Sequence, residues 1–319
     1  MRRLFRVKPL DQILSAGERP DQQLKRTLGP VQLTFLGVGA IVGAGIFSAV
    51  GTAAAGGGDR LGAGPALLIS FVVVAVACGF AALCYAEFAS MVPMAGSAYT
   101  YAYATLGELI AWIIGWDLIL EYAVGNVAVA ISWSDYFQSL LRGVQFPWPV
   151  WLGVDYRSAF QAAQSVAEAK AKGLDLSTLD TSILRDAQAL TDAPQLLGIP
   201  MVFDLPAVLI IVIITWFLVR GIRESARFNT AMVIVKLAVI AVFIGAGAFY
   251  IRPENWHPFA PNGFAGISSA AAIIFFAYIG FDAISTAAEE AREPKRNMPI
   301  AIIGSLIVCT FIYIAVALV

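Results

Sequence analysis

Seven stretches of this 319-residue chain are apolar enough to enter a bilayer, and no other feature restricts the fold as much. A helix needs about 20 mostly apolar residues to cross the hydrocarbon core. Stretches at about 31–56, 65–90, 104–140, 205–221, 227–250, 267–290 and 299–319 meet or approach that length. In lipid every backbone polar group must find its partner within the protein, so such segments are expected to be helices of an all-α integral membrane protein. The composition agrees: 59% of residues are hydrophobic and 13% charged, against about 45–50% and 25% in soluble domains. The third stretch opens with "SAYTYAYATLGELI", which is expected to start as a helix lying along the interface, and the fourth is short. The first 30 or so residues are polar and basic, unlike a cleaved signal peptide with its early apolar core.

Lysine and arginine placement orients the spans. Seven basic residues precede the first stretch: Arg2, Arg3, Arg6, Lys8, Arg19, Lys25 and Arg26. Three more lie between the fourth and fifth (Arg220, Arg223, Arg227) and three between the sixth and seventh (Arg292, Lys295, Arg296). The opposite side holds Arg60, Arg142, Arg157, Lys170, Lys172, Arg185 and Arg252, most of them in one long loop. This bias predicts a multi-pass protein of the plasma (inner) membrane with a cytoplasmic N-terminus.

Several function classes fall away. A net charge of −1 does not suit nucleic acid, which demands a concentrated basic surface. Cys78, Cys84 and Cys309 all lie in apolar stretches, where they pack as small, soft side chains. His257 sits in a polar connection, "PENWHPF". Without a phosphate loop, a zinc signature or a nucleophile elbow, neither a cofactor nor a metal is expected. The one acidic–basic cluster, "EEAREPKRN", has the composition of a helix end and a charged inside loop, so an enzyme is not expected. Nothing fixes an oligomeric state.

Residues 147–204 differ in kind. "AFQAAQSVAEAKAKGLDLSTLDTSILRDAQALTD" is polar and alanine-rich, with helical spacing and a break at Gly173. One or two amphipathic helices outside the membrane are expected; an insert with no part in the main function has the same composition.

Two spans look built to break. The first carries Gly37, Gly39, Gly43, Gly45 and Gly51. Gly39 and Gly43 also form a G-x-x-x-G face, which packs membrane helices closely. The sixth, "AAIIFFAYIGFDAISTAAEE", sets Gly280 beside Asp282 about half way along. A carboxylate at that depth costs at least ~2.5 kcal/mol, so it needs an internal partner, a cavity or a proton. Interrupted spans at corresponding places in two repeats are the sequence pointer to an inverted-repeat transporter. An unwound helix frees N–H groups on one side and C=O groups on the other, and a zwitterion supplies a partner for each. Lys236 adds a basic residue inside the fifth span, nine residues past Arg227. That is ~13 Å from the inner end, slightly beyond comfortable snorkelling.

"GVGAIVGAGIF", "ALCYAEFASMVPMAGSAYTYAYATLGELIAWIIGWDLILEY", "ESARFN" and "FFAYIGFDAISTAAEEAREPKRNMPIAI" resemble, in order, bacterial members of the cationic amino acid transporter branch. That branch belongs to the amino acid–polyamine–organocation superfamily. The likeness runs from about residue 30 to the end, apart from 147–204. It implies a 5+5 inverted-repeat transporter fold with broken helices 1 and 6. Residues 1–30 would form a cytoplasmic segment, 31–250 the first repeat and 267–319 the start of the second. It also implies proton-coupled symport of amino acids by alternating access. The substrate carboxylate would meet backbone amides of Gly43, Ala44, Gly45 and Ile46. Its ammonium would meet carbonyls of Ile41, Phe276, Ala277 and Ile279, with Phe276 and Ile279 also shaping the side-chain end. Lys236 would couple the proton. Glu121 and Asp282 would lie by a polar cavity, with Asp117 ranked below them.

The same likeness implies helices eight to ten, so a second repeat cut off after helix seven is expected, and transport by this polypeptide alone is not. The partners expected are an amino acid, a proton and the bilayer. Small neutral amino acids are the preferred substrates, because no acidic residue clearly faces the pocket. An exchanger uses the same site, and a non-transporting amino acid sensor keeps the same fold.

Overall fold

A computed structural model describes residues 5–17, 24–57, 60–220 and 222–319, without the side chains of 178, 220 and 222–228. Arg2, Arg3 and Arg19, and the side chains of Arg220, Arg223 and Arg227, on which the orientation partly rests, lie outside the described residues, as do most side chains of the "ESARFN" motif. Regular structure is almost entirely helical. The α-helices are α1 (Leu10–Gly17), α2 (Pro30–Ile41), α3 (Val50–Ala55), α4 (Leu67–Met91), α5 (Ser97–Thr105), α6 (Glu108–Gly143), α7 (Tyr156–Ala171), α8 (Thr181–Asp192), α9 (Leu205–Arg220), α10 (Ile222–Ala248), α11 (Gly263–Tyr278) and α12 (Pro294–Leu318). Two minimal hairpins pair β1 (Gly56–Gly57) with β2 (Arg60–Leu61) and β3 (Gln195–Leu196) with β4 (Ile199–Pro200).

Among the described residues, five helical segments are long and apolar enough to span a membrane: Gly64–Met91, Glu108–Gly143, Asn229–Ala248, Gly263–Glu290 and Pro294–Leu318. The helices Pro30–Ile41 and Gly45–Ala55, bent by 41° at their junction, pass the same test when taken together. Leu205–Val219, the fourth expected stretch, is apolar but short. Two boundaries differ from the sequence expectation. α12 starts at Pro294, not near 299, because its polar first turn is helical and Pro294 occupies the position where a missing N–H costs nothing. The tyrosine-rich start of the third stretch is a separate helix, α5, divided from α6 by a turn at Gly107 with φ +99°.

The chain forms two units, Met1–Ala123 with Arg223–Val319, and Val124–Ile222. In the first, α2, α4, α11 and α12 pack around fully buried Leu33, Phe71, Ile274, Ile284, Met298 and Ile302. The rings of Phe71, Tyr278 and Tyr313 meet edge-on or tilted, with centroids 5.2 to 6.4 Å apart. The outer faces of α4 and α12 expose Val72, Val76, Phe80, Ile307 and Phe311, as lipid-facing surfaces do. Two N-terminal stretches of this unit are held by backbone bonds. Lys8 N–H donates to Tyr103 O (3.1 Å), Thr27 and Leu28 N–H donate to Glu290 O (3.0 Å each), and Arg292 N–H donates to Leu28 O (2.8 Å).

The second unit gathers the C-terminal part of α6 with α7, α8 and α9. With 36 residues, α6 is ~54 Å long and outruns the ~30 Å hydrocarbon core. Its C-terminal part carries buried polar groups that are all engaged. Ser134 Oγ donates to Asp204 Oδ1 (2.6 Å), and Gln138 Nε2 donates to Gly153 O (2.7 Å). Two amphipathic helices, α7 and α8, pack Ala159 and Ala189 together with Val154 and Val202. Each starts on an aspartate cap: Asp155 accepts Ser158 N–H (3.0 Å) and Asp180 accepts Ser182 N–H (2.8 Å). Between them the chain turns at Gly173, with φ +67°.

Candidate functional site

The first break follows from where α2 runs out. Ile41 ends the helix, Val42 is extended (φ −75°, ψ 90°), and a π-helical turn, Gly45–Ala49, leads into α3. The last carbonyls of α2 therefore point into the break, while the first amides of the following helical segment point back towards it. The glycines divide by role. A Cβ on Gly39 would strike Val233 of α10, so that glycine lets two helices touch. A Cβ on Gly43 would meet nothing within 4 Å. The G-x-x-x-G pair is thus half packing surface and half open space.

The second break mirrors the first. α11 ends at Tyr278, Ile279 is extended (φ −57°, ψ 135°), and Gly280 takes φ +119°, which only glycine adopts readily. A 3₁₀ helix, Asp282–Glu290, continues the span. Runs of 3₁₀ beyond three or four residues are uncommon, and within a helix they often mark a hinge.

The two breaks touch. A Cβ on Gly45 would overlap the backbone of Ala277, and one on Gly280 would lie 2.7 Å from the Ala40 carbonyl oxygen. The first break thus lies against the second at two places, Gly45 on Ala277 and Ala40–Ile41 on Gly280. Phe276 lies at this junction but turns a side chain that is 42% exposed outward.

Two side chains fasten the carbonyl ends. Lys236 Nζ donates to Gly39 O (2.5 Å) and Val42 O (2.6 Å). A cation inside a span is tolerated when bonded in this way. Tyr313, from α12, donates to Ile41 O (2.9 Å) and Ala277 O (2.8 Å), joining both breaks through one hydroxyl. Sequence reasoning missed Tyr313. Its only signal was a phenol within an apolar run, "CTFIYIAVAL", since a buried tyrosine hydroxyl usually requires a partner.

The acidic residues are placed as follows. Asp282 is buried and accepts the Tyr122 hydroxyl at 3.3 Å, and Ser285 Oγ donates to its carbonyl (2.6 Å). Glu121 is half-buried and lies one position before Tyr122, whose hydroxyl Asp282 accepts. Asp117, one turn before Glu121 on α6, is exposed. Among the described residues, no group of three or more histidine, cysteine, aspartate or glutamate side chains is placed to hold a metal.

A multi-pass helical membrane protein with two apposed broken spans is the class this geometry defines. Comparison with known proteins gives the family: a model of the family described as amino acid permease matches residues 28–319. The chain belongs to that family. It is 45% identical over 319 residues to the methylthioribose transporter of Bacillus subtilis, covering 100% of this chain and 59% of that one. It is 46% identical over 314 residues to the branched-chain amino acid permease BcaP of the same organism, covering 98% and 58%. The human cationic amino acid transporter 4 is 34% identical over 319 residues, covering 99% of this chain and 43% of that one. The chain therefore spans less than two thirds of the length of these relatives.

Proposed function

We propose that this chain carries the substrate and coupling site of a secondary active transporter that imports amino acids with protons. The fold would be a 5+5 inverted repeat, and the α2–α3 and α11–3₁₀ breaks would form a mid-membrane site between rocking repeats. The observation that carries this reading is the convergence of two carbonyls from different broken helices, Ile41 O and Ala277 O, on one hydroxyl. A hydroxyl has a single proton and an ammonium has three. A substrate ammonium therefore offers these carbonyls more than Tyr313 alone can. Across the break, amides of Gly43 to Ile46 start a new helical segment, where backbone N–H groups and the helix dipole favour a carboxylate. The open space over Gly43 leaves room for that approach.

Lys236 supplies the coupling. It holds Gly39 O and Val42 O on either side of the end of α2, so loss of its proton removes the charge that fixes this end of the break. A neutral substrate side chain fits best, because Ile46 and Ile279 are apolar and Asp282 is engaged with Tyr122. One relative is named for branched-chain amino acids and the other for methylthioribose, so both belong in the substrate panel.

The test is uptake by the full-length protein in liposomes with an inward proton gradient, across labelled amino acids and methylthioribose. Gradient-driven uptake of neutral amino acids is expected. Uptake only against preloaded amino acid would replace import by exchange, and binding without flux would replace it by sensing.

A further inference from the structure

We infer that the β3–β4 hairpin contacts the membrane surface, its tip Leu196-Leu197-Gly198-Ile199 lying among lipid headgroups beside the start of α9. The hairpin is closed by two residues, Leu197 at φ +53° and Gly198 at φ +80°. Such turns need left-handed backbone at both positions and favour Asn-Gly or Asp-Gly. A leucine there is held in a conformation it disfavours. Its side chain gains nothing from its own chain in return, for Leu197 is 96% exposed, more than any other large hydrophobic among the described residues. Leu196 and Ile199 beside it are 60% and 61% exposed. A residue that breaks local rules without a gain inside the fold points to a gain outside it.

The position of the hairpin indicates what that gain is. From Gln195 to Phe203 the chain, "QLLGIPMVF", carries no charge. Met201 and Phe203 are also exposed, as are Val208 and Leu209 of α9, so exposed apolar side chains recur from the tip to the first turns of an apolar helix. Asp204 fixes the helix start by accepting Ala207 N–H (3.0 Å) and ties it to α6 through Ser134 (2.6 Å). Four residues separate Pro200 from Leu205; fully extended, the five steps between them reach ~17 Å, so the hairpin stays near the start of α9. Trp151, whose ring meets Phe203 at 6.3 Å, is of the type enriched at that interface. A protein partner fits less well, because a stable interface takes ~800 Å² from each side and four tip residues fall far short. Lipid has no such threshold; apolar groups need only sink ~5–10 Å into the headgroup boundary.

The experiment uses full-length protein carrying Cys84→Ser and Leu197→Cys, labelled with a nitroxide and placed in bilayer nanodiscs. The exposed tip makes few contacts, so the substitution leaves folding intact. A second protein labelled at Lys172→Cys, whose native side chain is 69% exposed, serves as the aqueous reference. Collisions with oxygen should exceed those with a water-soluble nickel chelate at position 197, and the reverse should hold at 172. Equal nickel access at the two positions would place the tip in water and overturn the proposal. A label at 197 shielded from both reagents would place it against protein, a partner or a second copy, and would also overturn it.

Discussion

Tyr313 spends one proton on two carbonyls from opposite broken helices, and that shortage is the most informative detail at the scale of single residues. Removing its hydroxyl leaves both acceptors buried without this donor, at ~1–3 kcal/mol for each unpaired group. Tyr313→Phe should therefore lower the melting temperature of the substrate-free protein. If a substrate ammonium donates to the same carbonyls, it should recover part of the loss, so the substrate-induced rise in melting temperature should be larger in the variant than in wild type. An equal rise in both would mean that the ligand does not reach those carbonyls. The glycines give a second contrast. Gly45→Ala places a methyl group in the backbone of Ala277, an overpacking that costs ~1–3 kcal/mol, and should reduce thermal stability. Gly43→Ala meets nothing within 4 Å, so it should keep the melting temperature while weakening substrate binding. A Gly43→Ala protein that binds as wild type would remove that position from the carboxylate site.

The polar helices α7 and α8, which are not among the candidate spans, titrate in a way that follows from their caps. Backbone and hydroxyl bonds from Ser182 hold the Asp180 carboxyl below its ordinary value of 3.8. At Asp155 burial pushes the carboxyl up, but bonds from Ser158 outweigh it and the net direction is down. A carboxyl lowered in the folded state adds stability that is complete above its unfolded value and lost as the pH falls through its folded one. Amide protection in the first turns of α7 and α8 should therefore decline below about pH 4. Asp180→Asn, which caps without a charge, should flatten that response for α8 when followed by hydrogen exchange. Which elements could be foreseen depended on what sets them. Apolar runs of bilayer length were plain, because lipid permits little besides helix. The first break could be suspected from its glycines and the second from Gly280 beside Asp282. The extension of α12 back to Pro294 was hidden, since its first turn is polar and looks like loop.

At the scale of the whole molecule, long-range contact separates what the sequence shows from what it hides. Lys236 stood out as a lysine inside a span, but the two carbonyls it bonds lie 197 and 194 residues away. Tyr313 reaches Ile41 across 272 residues, and nothing local marks such a pairing. Membership of the amino acid permease family rests on similarity along nearly the entire chain, whereas the proposed coupling rests on one amine at the end of α2. The most direct measurement is therefore uptake by the full-length protein in liposomes, with and without an inward proton gradient, for wild type beside Lys236→Ala. The account predicts that the gradient stimulates the wild type and has no effect on the variant, which still binds substrate. A variant that responds to the gradient as strongly as the wild type would contradict it.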